Sequence, residues 1–132
     1  MGFGIKTQAI DRVFSLYIRT RDKWTCQRCG KNYENKKGSL DCSHFYGRRS
    51  WSTRVEPCNA MALCKGCHLY VGGNPIEHTK LWEGRFTTQE RDQVIKRYQD
   101  ATIRKKDVNT PENLKKIKEM LNEAERQNQR TS

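Results

Sequence analysis

Four cysteines stand in two pairs, Cys26-x-x-Cys29 and Cys64-x-x-Cys67, and His68 follows the last of them directly. Thiolates supplied as two closely spaced pairs are the usual ligands of a tetrahedral four-cysteine Zn²⁺ site. Such an ion ties two distant segments together and makes residues 30–63 the contents of a site. With four thiolates bound, it keeps no open position for water, so its role is structural and any catalytic ion must be a second one. Between the pairs lie Asp41, His44 and Asn59. A neutral imidazole can take a proton from water, a carboxylate and an imidazole can hold a divalent ion, and an amide can fix a loop. Cys42 and Cys58 are left over and read as small buried residues, with Cys42 close enough in sequence to remain a minor ligand candidate.

Composition narrows the partners. The 132 residues carry 26 Lys and Arg against 15 Asp and Glu, a formal net charge of +11. That surface attracts polyanions, nucleic acid first and acidic membrane second. No apolar run is long enough to span a bilayer, and no export signal is visible. A reducing, cytoplasmic setting is therefore expected, and metal ligation is favoured over three disulfides. The surrounding pattern is not the βαβ arrangement that a redox CxxC requires. A polar chain of this size builds a small core, which a metal would staple.

The elements that must position these groups can be read in order. Ile10, Val13, Phe14, Tyr17 and Ile18 form a helical stripe over 9–20. Residues 21–38 form the first cysteine knuckle and a turn, with Gly30 suited to its tight backbone. A strand is predicted over 40–46 and a short one over 61–63. Cys64 opens a brief helix that Gly72-Gly73 ends. Asn74-Pro75 starts another, and Thr87 with Glu90 forms a capping box for a helix reaching toward Ile103. Thr110-Pro111 starts the last helix, where Leu114, Ile117, Leu121 and Ala124 make a narrow seam that packs back on the domain or pairs with a second copy as a homodimer. Residues 1–7 and the last six are expected to be frayed.

The first CxxC, the strand ending Asp41-Cys42-Ser43-His44-Phe45, Asn59 in a loop, and Cys64-Lys65-Gly66-Cys67-His68 together resemble the HNH endonucleases. More narrowly, His44-Phe45-Tyr46-Gly47-Arg48-Arg49, Thr53-Arg54 and Asn59 are similar to phage recombination nucleases of the NinG/Rap type. The resemblance covers roughly residues 20–85. It implies an α+β fold: a small zinc-stapled ββα-metal core, treble-clef-like, with flanking N- and C-terminal helices. The expected division is a core over 1–85 and a helical extension over 86–132. It also implies a metal-dependent DNA endonuclease acting on phosphodiester bonds, with branched recombination intermediates as candidate substrates. His44 would be the general base, Asn59 the positioning residue and His68 the ligand of a catalytic Mg²⁺ or Mn²⁺. The position before the base carries Ser43 where many relatives carry a ligand. Asp41, two positions earlier on the same strand face, is the candidate substitute. His78 reads as a packing or surface histidine.

Arg48, Arg49 and Arg54 fall between the base and Asn59, in a stretch from 42 to 55 without an acidic residue. With Lys65 they are the candidate DNA contacts, since guanidinium forks match phosphate oxygens. Arg104-Lys105-Lys106 either extends that track or forms a solvated helix end. Trp51 reads either as a stacking platform for an unpaired base or as packing over the knuckle. The alternative reading of the chain is a zinc-stapled DNA-binding module without catalysis. A third is a protein-interaction adaptor that uses the C-terminal seam.

Overall fold

A computed structural model describes residues 5–131, and residues 1–4 and 132 lie outside the described residues. Its frame is a two-stranded antiparallel sheet wrapped by helices. Strand β1 (Leu40–His44) pairs with β2 (Ala60–Cys64) in a register that sets Asp41 against Leu63, Ser43 against Met61 and His44 against Ala60. All five residues of β2 are buried. One side of the structure packs Trp24, Leu40, Met61, Leu63, Val71, Trp82, Phe86 and Val94 together. The other packs Ile10, Phe14, Ile18, Ala60 and Ile117. The strand that delivers Cys64 is thus fixed between two apolar clusters, as a short strand must be to hold a site steady.

Helix α1 (Ala9–Arg21) forms because its stripe buries Ile10, Phe14 and Ile18 and because Asp11 accepts the Gln8 N–H at 2.7 Å across its first turn. Its end is pinned by Asp22. That carboxylate accepts from Arg21, from Arg85 and from the Ala62 backbone N–H of β2 at 2.8 Å. Lys23 and Trp24 then take left-handed backbone angles, φ 55° and 56°, to turn the chain into the first cysteine pair. Burial of Trp24 and its N–H bond to the Arg19 carbonyl hold that strained turn in place. Gly30, at φ +79°, supplies the same hand at the knuckle without a Cβ penalty.

Helix α2 (Lys65–Gly72) follows β2 without a linker, because the Cys64 sulfur itself accepts the Cys67 N–H and caps the helix. Helix α3 (Pro75–Arg85) starts at Asn74 without a side-chain cap. That amide instead donates to the Tyr70 carbonyl at 2.7 Å and closes the end of α2. The Thr87–Glu90 box opens α4 (Thr88–Gln99). This helix stops short of Ile103 because Asp100 turns back onto the Thr102 N–H at 2.9 Å. Strand β1 likewise ends at His44, two residues before the predicted end.

After a single turn, α5 (Lys105–Val108), helix α6 (Pro111–Thr131) runs back along α1. Ile117 and Leu114 pack in the α1 cluster, and Asn128 donates to the Thr20 carbonyl at 2.8 Å. The seam expected to serve either this chain or a second copy is used here within the chain. The frayed C-terminus is a correction: the helix continues through 131, held by that tertiary contact. At the other end, Ile5, Lys6 and Thr7 are tied down by arginines. Arg48 bonds the Ile5 carbonyl and the Thr7 hydroxyl, both at 3.2 Å, and Arg54 bonds the Lys6 carbonyl at 2.8 Å. The part of the fraying expectation that concerns residues 1–4 lies outside the described residues.

Candidate metal centre and catalytic groove

The two cysteine pairs converge. Cys26 is carried by the turn after α1, Cys64 ends β2 and Cys67 lies in the first turn of α2. The four sulfurs of Cys26, Cys29, Cys64 and Cys67 lie within 4.8 Å of one another, with Cys29 and Cys64 at 4.0 Å. A tetrahedral site with metal–sulfur bonds of about 2.3 Å needs sulfurs roughly 3.8 Å apart, so the residues fit a metal ion. Backbone donors already face the sulfurs: Cys29 N–H to Cys26 at 3.5 Å and Cys67 N–H to Cys64 at 3.4 Å. Arg28 adds a guanidinium contact to the Cys67 sulfur at 3.4 Å and lies over the Tyr70 ring. Burial opposes charge on Cys64, yet the Cys67 N–H and neighbouring side-chain bonds bring its thiol down to about 6. Cys42 and Cys58 are outside this cluster. Burial pushes the Cys42 thiol up to about 12 and the Cys58 thiol up to about 11, so neither is a ready thiolate.

Beside the staple runs a groove of about 650 Å³ walled by α1, β1 and the start of α2. His44, Asp41, His68 and Arg48 all line it, so the structure brings four of the sequence-predicted site residues to one concavity. Asp41 and His68 touch: His68 Nδ1 is 3.1 Å from Asp41 Oδ2, and Lys65 Nζ is 2.8 Å from Asp41 Oδ1. Burial raises the Asp41 carboxyl, but the bonds from Lys65 and His68 outweigh it and hold the group below the usual carboxylate range. The same pair also lines a second surface concavity, formed with Lys65, Leu69 and Gly72-Gly73.

His44 sits at the end of β1, partly buried, with its ring 5.8 Å from that of Phe14. Its Nε2 lies 2.9 Å from the Arg54 carbonyl oxygen. A carbonyl only accepts, so Nε2 carries the hydrogen and Nδ1 is left with the lone pair. Burial pushes the imidazole down to about 4, the Arg54 carbonyl and Asp11 pulling the other way.

Asn59 is fully buried and does not reach the groove. Its Oδ1 accepts the Tyr46 N–H at 2.9 Å, and its Nδ2 donates to the Tyr46 carbonyl at 2.9 Å and the Thr53 carbonyl at 3.0 Å. It cross-braces the loop between the strands, the loop that supplies the Arg54 carbonyl. Ser43 is buried, its hydroxyl has no partner among the described residues, and it is not part of the groove wall.

Arg54 is a correction. It was expected among the surface phosphate contacts, but it is 2% exposed. Its guanidinium makes a two-pronged pair with Asp11 (2.9 and 2.7 Å) and also bonds the Arg48 and Lys6 carbonyls. Four of its five N–H donors are taken by protein oxygens, as a buried cation requires. Burial raises the Asp11 carboxyl, and its bonds to Arg54 and the Gln8 N–H more than reverse this. Of the other candidate contacts, Arg48 lines the groove, Arg49 is exposed, and Lys65 is exposed beside Asp41.

Trp51 packs in the α1 cluster beneath the Arg54 guanidinium, 3.9 Å above its ring, rather than over the cysteine knuckle. His78 packs edge-on against Phe45, itself stacked on Trp82 at 4.0 Å. The sequence reading missed Asp11, Arg12 and Arg19 of α1. The only signal for Asp11 was an acid set directly beside the buried stripe of a helix.

Against known proteins, the chain is similar to a probable HNH endonuclease of Lactococcus phage SK1. The two are 39% identical over 57 residues, which covers 39% of this chain and 57% of that relative. The chain thus spans little more than half of the relative's length. No protein-family model matches the chain. No solved structure matches it. Among the described residues, no helix is long and apolar enough to cross a membrane.

Proposed function

We propose that this chain is a metal-dependent DNA endonuclease of the HNH class, with β1, β2 and α2 as its ββα-metal unit and Zn²⁺ in the four-cysteine site. The observation that carries the reading is the shared groove: a histidine with a free Nδ1 and an Asp41–His68 pair face the same concavity. The similarity to a relative named a probable HNH endonuclease supports the same class.

In this reading Asp41 and His68 hold the catalytic Mg²⁺ or Mn²⁺. Asp41 Oδ2 and His68 Nδ1 are 3.1 Å apart, and an ion held there would replace the hydrogen bond between them, with the imidazole in the tautomer that frees Nδ1. When bound, the ion supplies positive charge to the scissile phosphate and the departing oxygen.

His44 takes the proton from the attacking water at Nδ1. Its low pKa keeps it neutral across the physiological range and makes it a weak base. The Nε2–H bond to the Arg54 carbonyl strengthens as the ring gains charge, and Asp11 lies near enough to favour that charge. Asn59 holds the loop so that this carbonyl stays in line, which fixes the tautomer. Arg48, Arg49 and Lys65 meet the DNA backbone. Residues 1–85 form the nuclease core and 86–132 the helical extension. Branched recombination intermediates, processed in the cytoplasm of a bacterial host, are the substrate suggested by the NinG/Rap resemblance.

The test is supercoiled plasmid incubated with the chain, with no added divalent ion and then with Mg²⁺ or Mn²⁺. Nicked or linear product only on metal addition is expected. Intact plasmid with every metal, together with retained DNA binding, would instead favour a zinc-stapled binding module.

A further inference from the structure

The groove has a third wall to which the candidate chemistry assigns nothing. Arg12, Ser15 and Arg19 all line it from α1. Their spacing stacks them along one helix face, while Ile10, Phe14 and Ile18 anchor the opposite face at 0–1% exposure. The helix cannot roll, so these side chains are committed to the groove.

Their charges are unspent. Arg12 is exposed, and its guanidinium has no hydrogen-bond or ion-pair partner among the described residues. Arg19 meets the Ser15 carbonyl at 3.2 Å and the Trp24 ring at 5.1 Å, but no carboxylate. The two acids of the groove are already occupied, Asp11 by Arg54 and Asp41 by Lys65 and His68. Arg48 shares Asp11 with Arg54 at 3.7 Å, which leaves Arg12 and Arg19 as the two groove arginines without a carboxylate partner among the described residues. Packing like charges together costs stability, and a polyanion in the groove reverses that cost.

We infer that Arg12 and Arg19 are phosphate contacts for the DNA strand whose scissile phosphate lies at His44, Asp41 and His68. This rests on the nuclease reading and specifies how that site holds its substrate. Seven helical residues rise about 10 Å, and that is about three nucleotide rises of one strand. Arg12 and Arg19 thus reach separate phosphates of that strand and help set its register, while carrying no base information.

The experiment is fluorescence anisotropy of a labelled 30-bp duplex titrated with the full chain, without added Mg²⁺ or Mn²⁺, over a NaCl series. The Arg12→Gln/Arg19→Gln double variant is compared with the charge-matched Lys115→Gln/Lys118→Gln, whose lysines are exposed on α6 and do not line the groove. The arginine variant is expected to bind about tenfold or more weakly near 100 mM salt, with the slope of log K against log[salt] reduced by about 2. The lysine variant keeps the wild-type slope. Arg12→Glu alone, at an exposed position that folding tolerates, is expected to weaken binding further than Arg12→Gln. Equal slopes for wild type and the arginine variant, or equal losses in both double variants, overturn the inference and leave the nuclease reading standing. Failure of the wild-type chain to bind the duplex at low salt overturns both.

Discussion

The Nε2 of His44 lies 2.9 Å from the backbone carbonyl of Arg54, and the side chain of the same arginine is locked in a buried pair with Asp11. One residue thus orients the candidate base through its main chain and anchors the loop to α1 through its guanidinium. The position of the base depends on an ion pair whose arginine is buried away from solvent.

That pair gives the first prediction. Arg54→Met leaves the Asp11 carboxylate buried without its partner. A loss of about 3–5 kcal/mol is expected, measured by urea denaturation. The double variant Arg54→Met/Asp11→Leu should recover part of it, because the orphaned charge is gone. If Arg54→Met alone unfolds at the wild-type midpoint, the buried pair does not anchor the loop.

The pH response follows from the depressed His44. Above its ordinary pKa of 6.5 the ring is neutral both folded and unfolded, and the fold loses nothing. As pH falls from 6.5 toward about 4, the unfolded chain takes up a proton that the folded ring resists. Stability then drops by up to roughly 1.4 kcal/mol per pH unit across that window. For the same reason single-turnover cleavage should hold from pH 7 to about 5, rather than halving at 6.5. A rate midpoint near 6.5 would mean that the ring is not desolvated during cleavage.

The cysteine cluster predicts one zinc per chain by elemental analysis of freshly purified protein. Cys64→Ala removes a ligand and the cap of α2 together. It should abolish stoichiometric zinc and the cooperative unfolding transition, since metal binding in such sites is folding free energy. Full zinc content in this variant would place the metal elsewhere.

Asn59→Ala removes three hydrogen bonds to the loop between the strands, one of them fully buried. The carbonyls of Tyr46 and Thr53 lose a donor, and a destabilisation of about 2–4 kcal/mol is expected. Cleavage should fall as well, because the loop carries the carbonyl that orients His44. Thermal denaturation alongside cleavage at low temperature separates the two effects, and an unchanged melting temperature would show that the brace is dispensable.

Local chemistry was legible in the sequence. The cysteine pairs, the Thr87–Glu90 box and the α1 stripe each depend on residues within a turn or two, and each appears where the pattern put it. Pairings across the chain were not legible. Arg54 looked like a phosphate contact because it sits in an arginine-rich, acid-free loop. Its actual partner, Asp11, lies 43 residues earlier, and residue type does not reveal which cation goes inside. Asn74 shows the same limit at short range: a good N-cap by type, it instead donates its side-chain amide to the Tyr70 carbonyl of the preceding helix. The groove joins the mid-chain segments that the motif brackets to α1, which carries no motif. Arg12 and Arg19 emerge only when the packing of that helix is known.

The most direct test is cleavage of end-labelled DNA by wild type, His44→Ala and His68→Ala, each at protein concentrations that give equal DNA occupancy. Metal-dependent cutting by the wild type alone, with both variants still binding, is the predicted result. Cutting by His44→Ala or His68→Ala at the wild-type rate would contradict the account.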